Sequence, residues 1–180
     1  MYKAAVLGTS GAGKSTVAAA LASLNKVPHV DLDDLAIGPS WQSVPDDQFR
    51  TRVLAVLDKP GWVIDGDYQR KLADLVLSRA DTAVWLDLPL SVSLGRMWHR
   101  VSGQIRAKVE VRHGSTLTWN LGLIRWVMHE VRSHARRRIT MKSRLAKHQH
   151  LAVVHLRSQR QVDAWLAEQR SAAPQHPSIG

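Results

Sequence analysis

The chain has no cysteine, so it forms no disulfide and offers no thiolate to a metal. No apolar run approaches the roughly 20 residues of a membrane-spanning helix. No basic region with an apolar signal segment precedes the first apolar stretch, and the expectation is a soluble cytoplasmic protein. Internal repeats and low-complexity segments are missing too. With 180 residues, 44% of them apolar, the chain suits one domain around a single core.

Acidic residues are scarce in one half only. Residues 1–90 carry 9 Lys and Arg against 11 Asp and Glu, a net of −2, whereas residues 91–180 carry 16 against 4, a net of +12. Between Arg96 and Lys147, 13 basic residues are opposed only by Glu110 and Glu130. A field of that sign attracts polyanions, which include nucleoside triphosphates, phosphorylated acceptors and nucleic acid, and it does not choose among them.

One local motif does choose. The apolar stretch Ala4–Leu7 runs into Gly8-Thr9-Ser10-Gly11-Ala12-Gly13-Lys14-Ser15-Thr16, where Gly8, Gly13, Lys14 and Ser15 satisfy G-x-x-x-x-G-K-[ST] and Gly11 adds a third glycine. Backbone N–H groups must converge on a polyphosphate, and glycines permit the turns and the close approach. Lys14 would reach the β/γ-phosphates, Ser15 would hold Mg²⁺, and the next helix would aim its positive end at the anion. The helix-forming run Val17–Leu24 completes strand–loop–helix, so ATP with Mg²⁺ is the expected ligand.

Strands and helices alternate along the rest. Tyr2–Leu7, His29–Asp33, Gly61–Asp65, Ala83–Leu88 and Leu151–Leu156 read as strands. Lys14–Leu24, Asp46–Lys59, Tyr68–Ala80 and a last helix from Ser158 read as helices, the last opened by the capping box Ser158–Gln161. The strands are apolar throughout, as expected where helices cover both faces of a parallel sheet. The expected fold is a three-layer α/β P-loop NTPase with a five-stranded parallel sheet and an Arg-rich helical lid. It occupies residues 1–170, with the lid at about 101–117, a basic helix at about 118–138 and a flexible tail over 171–180.

Carboxylates gather at the strand ends: Asp31, Asp33 and Asp34 after the second strand, Asp65 and Asp67 after the third, Asp87 after the fourth. All are expected near the mouth of the phosphate loop. A P-loop enzyme needs one carboxylate to orient Mg²⁺ and, for a hydroxyl acceptor, one to take its proton. Asp31-Leu32-Asp33, read as strand, would put two of them on one face. No glutamate base for a hydrolytic water follows the third or fourth strand.

Gly61-Trp62-Val63-Ile64-Asp65-Gly66 resembles the strand-then-Asp-Gly signature of adenylate-kinase-like small P-loop kinases, and Asp31-Leu32-Asp33 resembles the Asp-x-Asp element of shikimate kinase. Over nearly the whole chain the sequence is most similar to the adenylate-kinase-related DNA topology modulation proteins. The matching runs are Leu32-Asp33, Trp62 to Tyr68, Ala80-Asp81-Thr82 and Leu86-Asp87-Leu88-Pro89. Asp67 stands where that group usually has Asn, and Asp31 where it commonly has His. Adenylate kinases place an acceptor-gripping Arg four residues after the Asp of Asp-Gly; here that position is Gln69, with Arg70 one further on. The resemblance implies that Asp65 holds Mg²⁺ through water and that Asp33 contacts the acceptor or serves as base.

It also implies that Arg96 and Arg100, one helical turn apart, meet adenine and phosphate at the edge of the lid. Arg106, Lys108 and Arg112 lie between Gly103 and Gly114 and suit a closing lid, and Arg157 would line the adenine pocket. In Thr118–Arg138, Trp119, Leu123, Trp126 and Val127 alternate with arginines, which suits either core packing or a nucleic-acid or anionic membrane surface. The seven histidines from His99 to His155 show no metal-site spacing.

Two functions compete on these observations. One is a Mg²⁺-dependent phosphotransferase moving the γ-phosphate of ATP to a small acceptor such as a nucleotide or nucleoside, with Lys14, Asp33 and Arg100 in the chemistry. The other is a nucleic-acid-associated ATPase using the basic half. The acceptor segment Leu35–Arg52 has no readable motif, and Trp41, Arg50 and Arg52 are candidates by position.

Overall fold

In the computed structural model of the chain, residues 2–38, 42–107, 110–111, 115–116 and 121–172 are described. The apolar run Ala4–Leu7 forms the middle of β1 (Lys3–Gly8). Then come α1 (Lys14–Asn25), β2 (His29–Asp31), α2 (Leu32–Ala36), α3 (Asp46–Leu57), β3 (Trp62–Asp65), α4 (Gln69–Leu72), α5 (Leu75–Arg79), β4 (Thr82–Leu86) and α6 (Leu90–Ala107). The chain continues through β5 (Glu110–Val111), β6 (Ser115–Thr116), α7 (Leu121–Ala146), β7 (Ala152–Leu156) and α8 (Gln159–Ala172).

Five strands make one parallel sheet in the order β2-β3-β1-β4-β7, and β5 pairs antiparallel with β6 apart from it. Ala5, Leu7, Ile64, Ala83 and Trp85 face a core completed by Phe49, Val53 and Leu57 of α3, Leu77 of α5, and Met141 and Leu145 of α7. Ala4, Val6, Val63, Val84 and Leu86 face a second core built from Val17, Ala18 and Leu21 of α1 and Val162 and Leu166 of α8. Both strand faces are apolar because both are covered by helices, which gives the expected three layers. β1 is central, and the loop after it opens at the carboxyl end of the sheet, between neighbours β3 and β4. That is where open α/β sheets bind their ligands. Among the described residues, no helix is long and apolar enough to cross a membrane.

Several elements differ from the sequence reading. The second strand stops at Asp31, and Leu32–Ala36 is the helix α2. The Asp31 carboxylate accepts the Asp33 amide at 2.9 Å, so Asp31 caps α2 instead of lying beside Asp33 on one strand face. Asp-Leu-Asp fits both patterns, and burial of Leu32 and Ala36 in the core favours the helix. The expected helix Tyr68–Ala80 is broken into α4 and α5 at Ala73, whose φ of 49° is left-handed. No Gly or Pro marks that break; a buried arginine described below holds the residues around it. The helix after β4 runs to Ala107, so Val101–Ala107, Gly103 included, is helical where the lid was expected to begin.

The basic helix spans Leu121–Ala146, two turns beyond its expected end. Trp41, Lys108, Arg112 and Trp119 lie outside the described residues, as do the side chains of Arg100, Arg106, Leu123, Trp126 and Val127. Of the expected tail, Ser171 and Ala172 close α8, and residues 173–180 lie outside the described residues.

Candidate active site

The phosphate loop has the backbone its glycines allow. Gly11 and Gly13 have φ of 78° and 93°, and a Cβ on Gly11 would run into the carbonyl oxygen of Ser93 at the start of α6. Gly13 is the N-cap of α1 in the left-handed region and supplies no side-chain cap, so the first amides of α1 face the loop uncapped by it. Thr9 Oγ1 lies 3.4 Å from Ser93 Oγ, and Lys14 Nζ donates to the Thr9 carbonyl at 3.1 Å, so the lysine folds back across its own loop.

Ser15, in the first turn of α1, donates from Oγ to Asp65 Oδ2 at 2.7 Å. Asp65 ends β3 and is 2% exposed, and its other oxygen, Oδ1, is 2.6 Å from His29 Nε2 on β2. The structure thus joins the two residues expected at the metal and adds a third. Gly66 follows with φ of 119°, and a Cβ there would come within 2.9 Å of Leu32 Cβ, which fixes the backbone leaving Asp65.

Asp33 sits exposed in the first turn of α2, and the Tyr68 hydroxyl donates to its Oδ1 at 2.8 Å. Tyr68 packs at a tilt on Phe49, with ring centroids 5.0 Å apart. Burial first, then the hydrogen bond and charge of Asp33 and the charge of Asp31, push the Tyr68 hydroxyl well above the ordinary tyrosine value. Asp33 therefore keeps a neutral donor on one oxygen at any ordinary pH, which leaves the other oxygen for a second partner.

Other carboxylates meet residues of α7 and β7. Asp87, after β4, is buried and takes a two-point contact from Arg138 of α7, Nε at 2.7 Å and Nη2 at 2.8 Å. His155 Nε2 adds a bond at 3.0 Å while its ring stacks on Trp85, 4.0 Å between centroids. Asp67 and Asp74 each bind Arg144, also from α7, at 2.9 Å, through Nη1 and Nε, and the guanidinium side chain is only 7% exposed. Arg144 and Tyr68 border a cavity of about 20 Å³ with Leu7 and Leu32, room for one water. Of the six carboxylates expected at the mouth, Asp65 is bonded to Ser15 of the phosphate loop. Asp67 and Asp87 anchor α7, and Asp31 caps a helix.

The other candidate residues are placed as follows. Arg96 Nη1 donates to the Ala12 carbonyl at 3.3 Å and Nη2 to Gln159 Oε1 at 2.5 Å, so Arg96 ties the phosphate loop to the start of α8. The Arg157 side chain is exposed beside that start; its amide donates to Gln161 Oε1 at 2.6 Å, and Gln161 N donates to Ser158 Oγ at 3.2 Å. The expected capping box thus forms with Gln161 reaching one residue further back. Sequence reasoning missed His29, Tyr68, Arg138 and Arg144. Each meets a partner at least 35 positions away, a separation no short motif spans.

No protein-family model matches the chain, and no curated protein matches it in sequence. Solved structures do match in fold. A shikimate kinase from Acinetobacter baumannii, in complex with shikimate, is 18% identical with a TM-score of 0.54, over 96% of this chain and 93% of that one. A shikimate kinase from Bacteroides thetaiotaomicron is 15% identical with a TM-score of 0.52, over 95% and 97%. An uncharacterized protein from Eubacterium ventriosum is 14% identical with a TM-score of 0.51, over 98% and 100%. The chain has the α/β P-loop fold that these shikimate kinases share, with its five parallel strands in one sheet.

Proposed function

We propose that the chain is a Mg²⁺-dependent phosphotransferase that moves the γ-phosphate of ATP to a hydroxyl of a small acceptor. The observation that carries the reading is the 2.7 Å bond from Ser15 Oγ to the buried Asp65 carboxylate beside the phosphate loop. Because its O–H donates a hydrogen bond to Asp65, Ser15 keeps its oxygen lone pairs for a ligand, and hydroxyl and carboxylate oxygens suit Mg²⁺. Among the described residues no group of three or more His, Cys, Asp or Glu could hold a metal, so the rest of the shell would come from phosphate and water. A Mg²⁺ held there would supply charge neutralisation to the polyphosphate.

The chain's own residues divide the remaining work. The loop amides Gly8–Thr16 and Lys14 cradle phosphate, and Arg96 and Arg157 border the donor side. Arg100, on α6, is the lid-side cation for the transferring group. Asp33, steadied by Tyr68, accepts the acceptor's hydroxyl proton as the new O–P bond forms and the bond to ADP breaks. The shikimate kinase fold supports a small acceptor as a class, and the absence of an Arg at Gln69 counts against a nucleoside monophosphate.

The alternative, a nucleic-acid-associated ATPase of the DNA topology modulation type, loses part of its basis, because Arg138 and Arg144 are committed to Asp87, Asp67 and Asp74. ADP release from ATP and Mg²⁺ decides between them. Release that rises with one of a panel of nucleosides, sugars and small alcohols supports the kinase. Release that ignores every acceptor but rises with DNA, and falls steeply with salt, supports the alternative.

A further inference from the structure

Asp65 is buried, yet one hydrogen bond does not orient a carboxylate. The torsion that turns the two oxygens of an Asp is broad and nearly two-fold, so a single bond to Ser15 leaves the group free to exchange Oδ1 for Oδ2 or swing off the loop. The second fixed point comes from β2. In the register of the sheet His29 pairs with Val63 and Asp31 with Asp65, which puts His29 two residues back on the same face as Asp65, within diagonal reach of an imidazole. Its Nε2 lies 2.6 Å from Oδ1 while Ser15 holds Oδ2 at 2.7 Å. Asp31, the direct register partner, accepts the Asp33 amide with its Oδ1. The Asp65 side chain, 2% exposed, is thus gripped at both oxygens, from the phosphate-loop helix on one side and from an edge strand on the other.

We propose that His29 is a positioning residue for the metal site: it clamps Asp65 so that the Ser15 hydroxyl presents its lone pairs to Mg²⁺. His29 needs only an N–H on Nε2, and both the imidazolium and the neutral tautomer protonated there supply it. The role is that of an outer-shell hydrogen-bond partner, whose loss typically costs about 10–100-fold in metal affinity. His29 touches neither nucleotide nor acceptor in this arrangement, so it acts on Mg²⁺ affinity and leaves metal-free nucleotide binding alone. The inference rests on Ser15 and Asp65 forming the Mg²⁺ site.

The test is calorimetric titration of the full chain with ADP, in EDTA and across a Mg²⁺ series, for wild type, His29→Ala, His29→Gln and His29→Asn. Glutamine can carry an amide N–H to about the reach of Nε2, whereas asparagine is one carbon shorter. The expected result is an apparent Mg²⁺ requirement raised about tenfold or more in His29→Ala and His29→Asn, restored in His29→Gln, with affinity in EDTA within twofold throughout. If His29→Ala does not fold, the glutamine and asparagine variants carry the same comparison. Equal Mg²⁺ dependence in all variants overturns the role of His29 while wild-type Mg²⁺ dependence keeps the kinase reading. A wild-type protein whose ADP affinity ignores Mg²⁺ overturns both.

Discussion

Replacing Arg144 by Met tests how α7 is held to the body of the domain. Arg144 contributes two ion pairs of 2.9 Å, to Asp67 and Asp74, from a side chain 7% exposed. Removing one partner of a buried pair costs about 3–5 kcal/mol, because a charge is left without its counter-ion. Here the two stranded carboxylates are each about one-third exposed and can partly hydrate, so the low end, about 3 kcal/mol, is expected. For a domain of this size that lowers Tm by about 6–12 °C.

The loss should depend on pH with a definite sign. Burial alone would raise the Asp74 carboxyl, but the hydrogen bond and charge of Arg144, and then His148, outweigh it and hold it below its ordinary 3.8. A depressed carboxyl stabilises the fold above its unfolded value and loses that contribution as pH falls through the folded one. The gap between wild type and Arg144→Met should therefore be full at pH 7 and shrink below about pH 4. Urea unfolding at pH 7 and at pH 3 measures it, with m as a check on two-state behaviour. A gap under about 1 kcal/mol, or one equal at both pH values, refutes the anchoring.

Other outcomes follow from the same geometry. Tyr2 and Tyr68 are the chain's two tyrosines, and both hydroxyls are raised by burial, Tyr68 also by Asp33. The phenolate transition should thus be centred above pH 10 for both, and a midpoint at or below 10 for either contradicts the buried placement. Both neutral tyrosines stabilise the fold below pH 10, and that contribution disappears as pH rises through their folded values. Gly11→Ala forces a left-handed φ and a clash with Ser93, so about 2 kcal/mol of stability and most ATP affinity should go; a variant with wild-type affinity sinks the loop geometry. On the proposed reading Lys14→Ala removes a charge-assisted contact to phosphate and should weaken ATP binding at least about tenfold by calorimetry, and unchanged binding counts against phosphate seating in the loop.

What could be read from the sequence was local. The phosphate loop announces itself because its backbone demands glycines within six residues, and Asp65 because it closes an apolar strand before Gly66. The strand positions and the helix-covered sheet followed mainly from apolar runs, with the second strand read past its end at Asp31. Asp31-Leu32-Asp33 misled because an N-cap and its first turn share the spacing of a strand face, and only core burial of Leu32 decides. The break at Ala73 left no mark in the local sequence, and Arg144, which meets the residues around it, lies 71 residues on. Arg138 and Arg144 read as part of a field for polyanions, yet each is spent on carboxylates of its own chain. His29 carried no signal beside Pro28, since its partner belongs to the neighbouring strand.

The most direct measurement follows the phosphate itself. ATP labelled at the γ-position is incubated with Mg²⁺, the wild-type protein and a panel of small hydroxyl compounds, with Asp65→Ala alongside. The kinase reading predicts label on an organic acceptor in the wild-type reaction and none above background in the variant. Label recovered only as inorganic phosphate, whatever the acceptor, contradicts it.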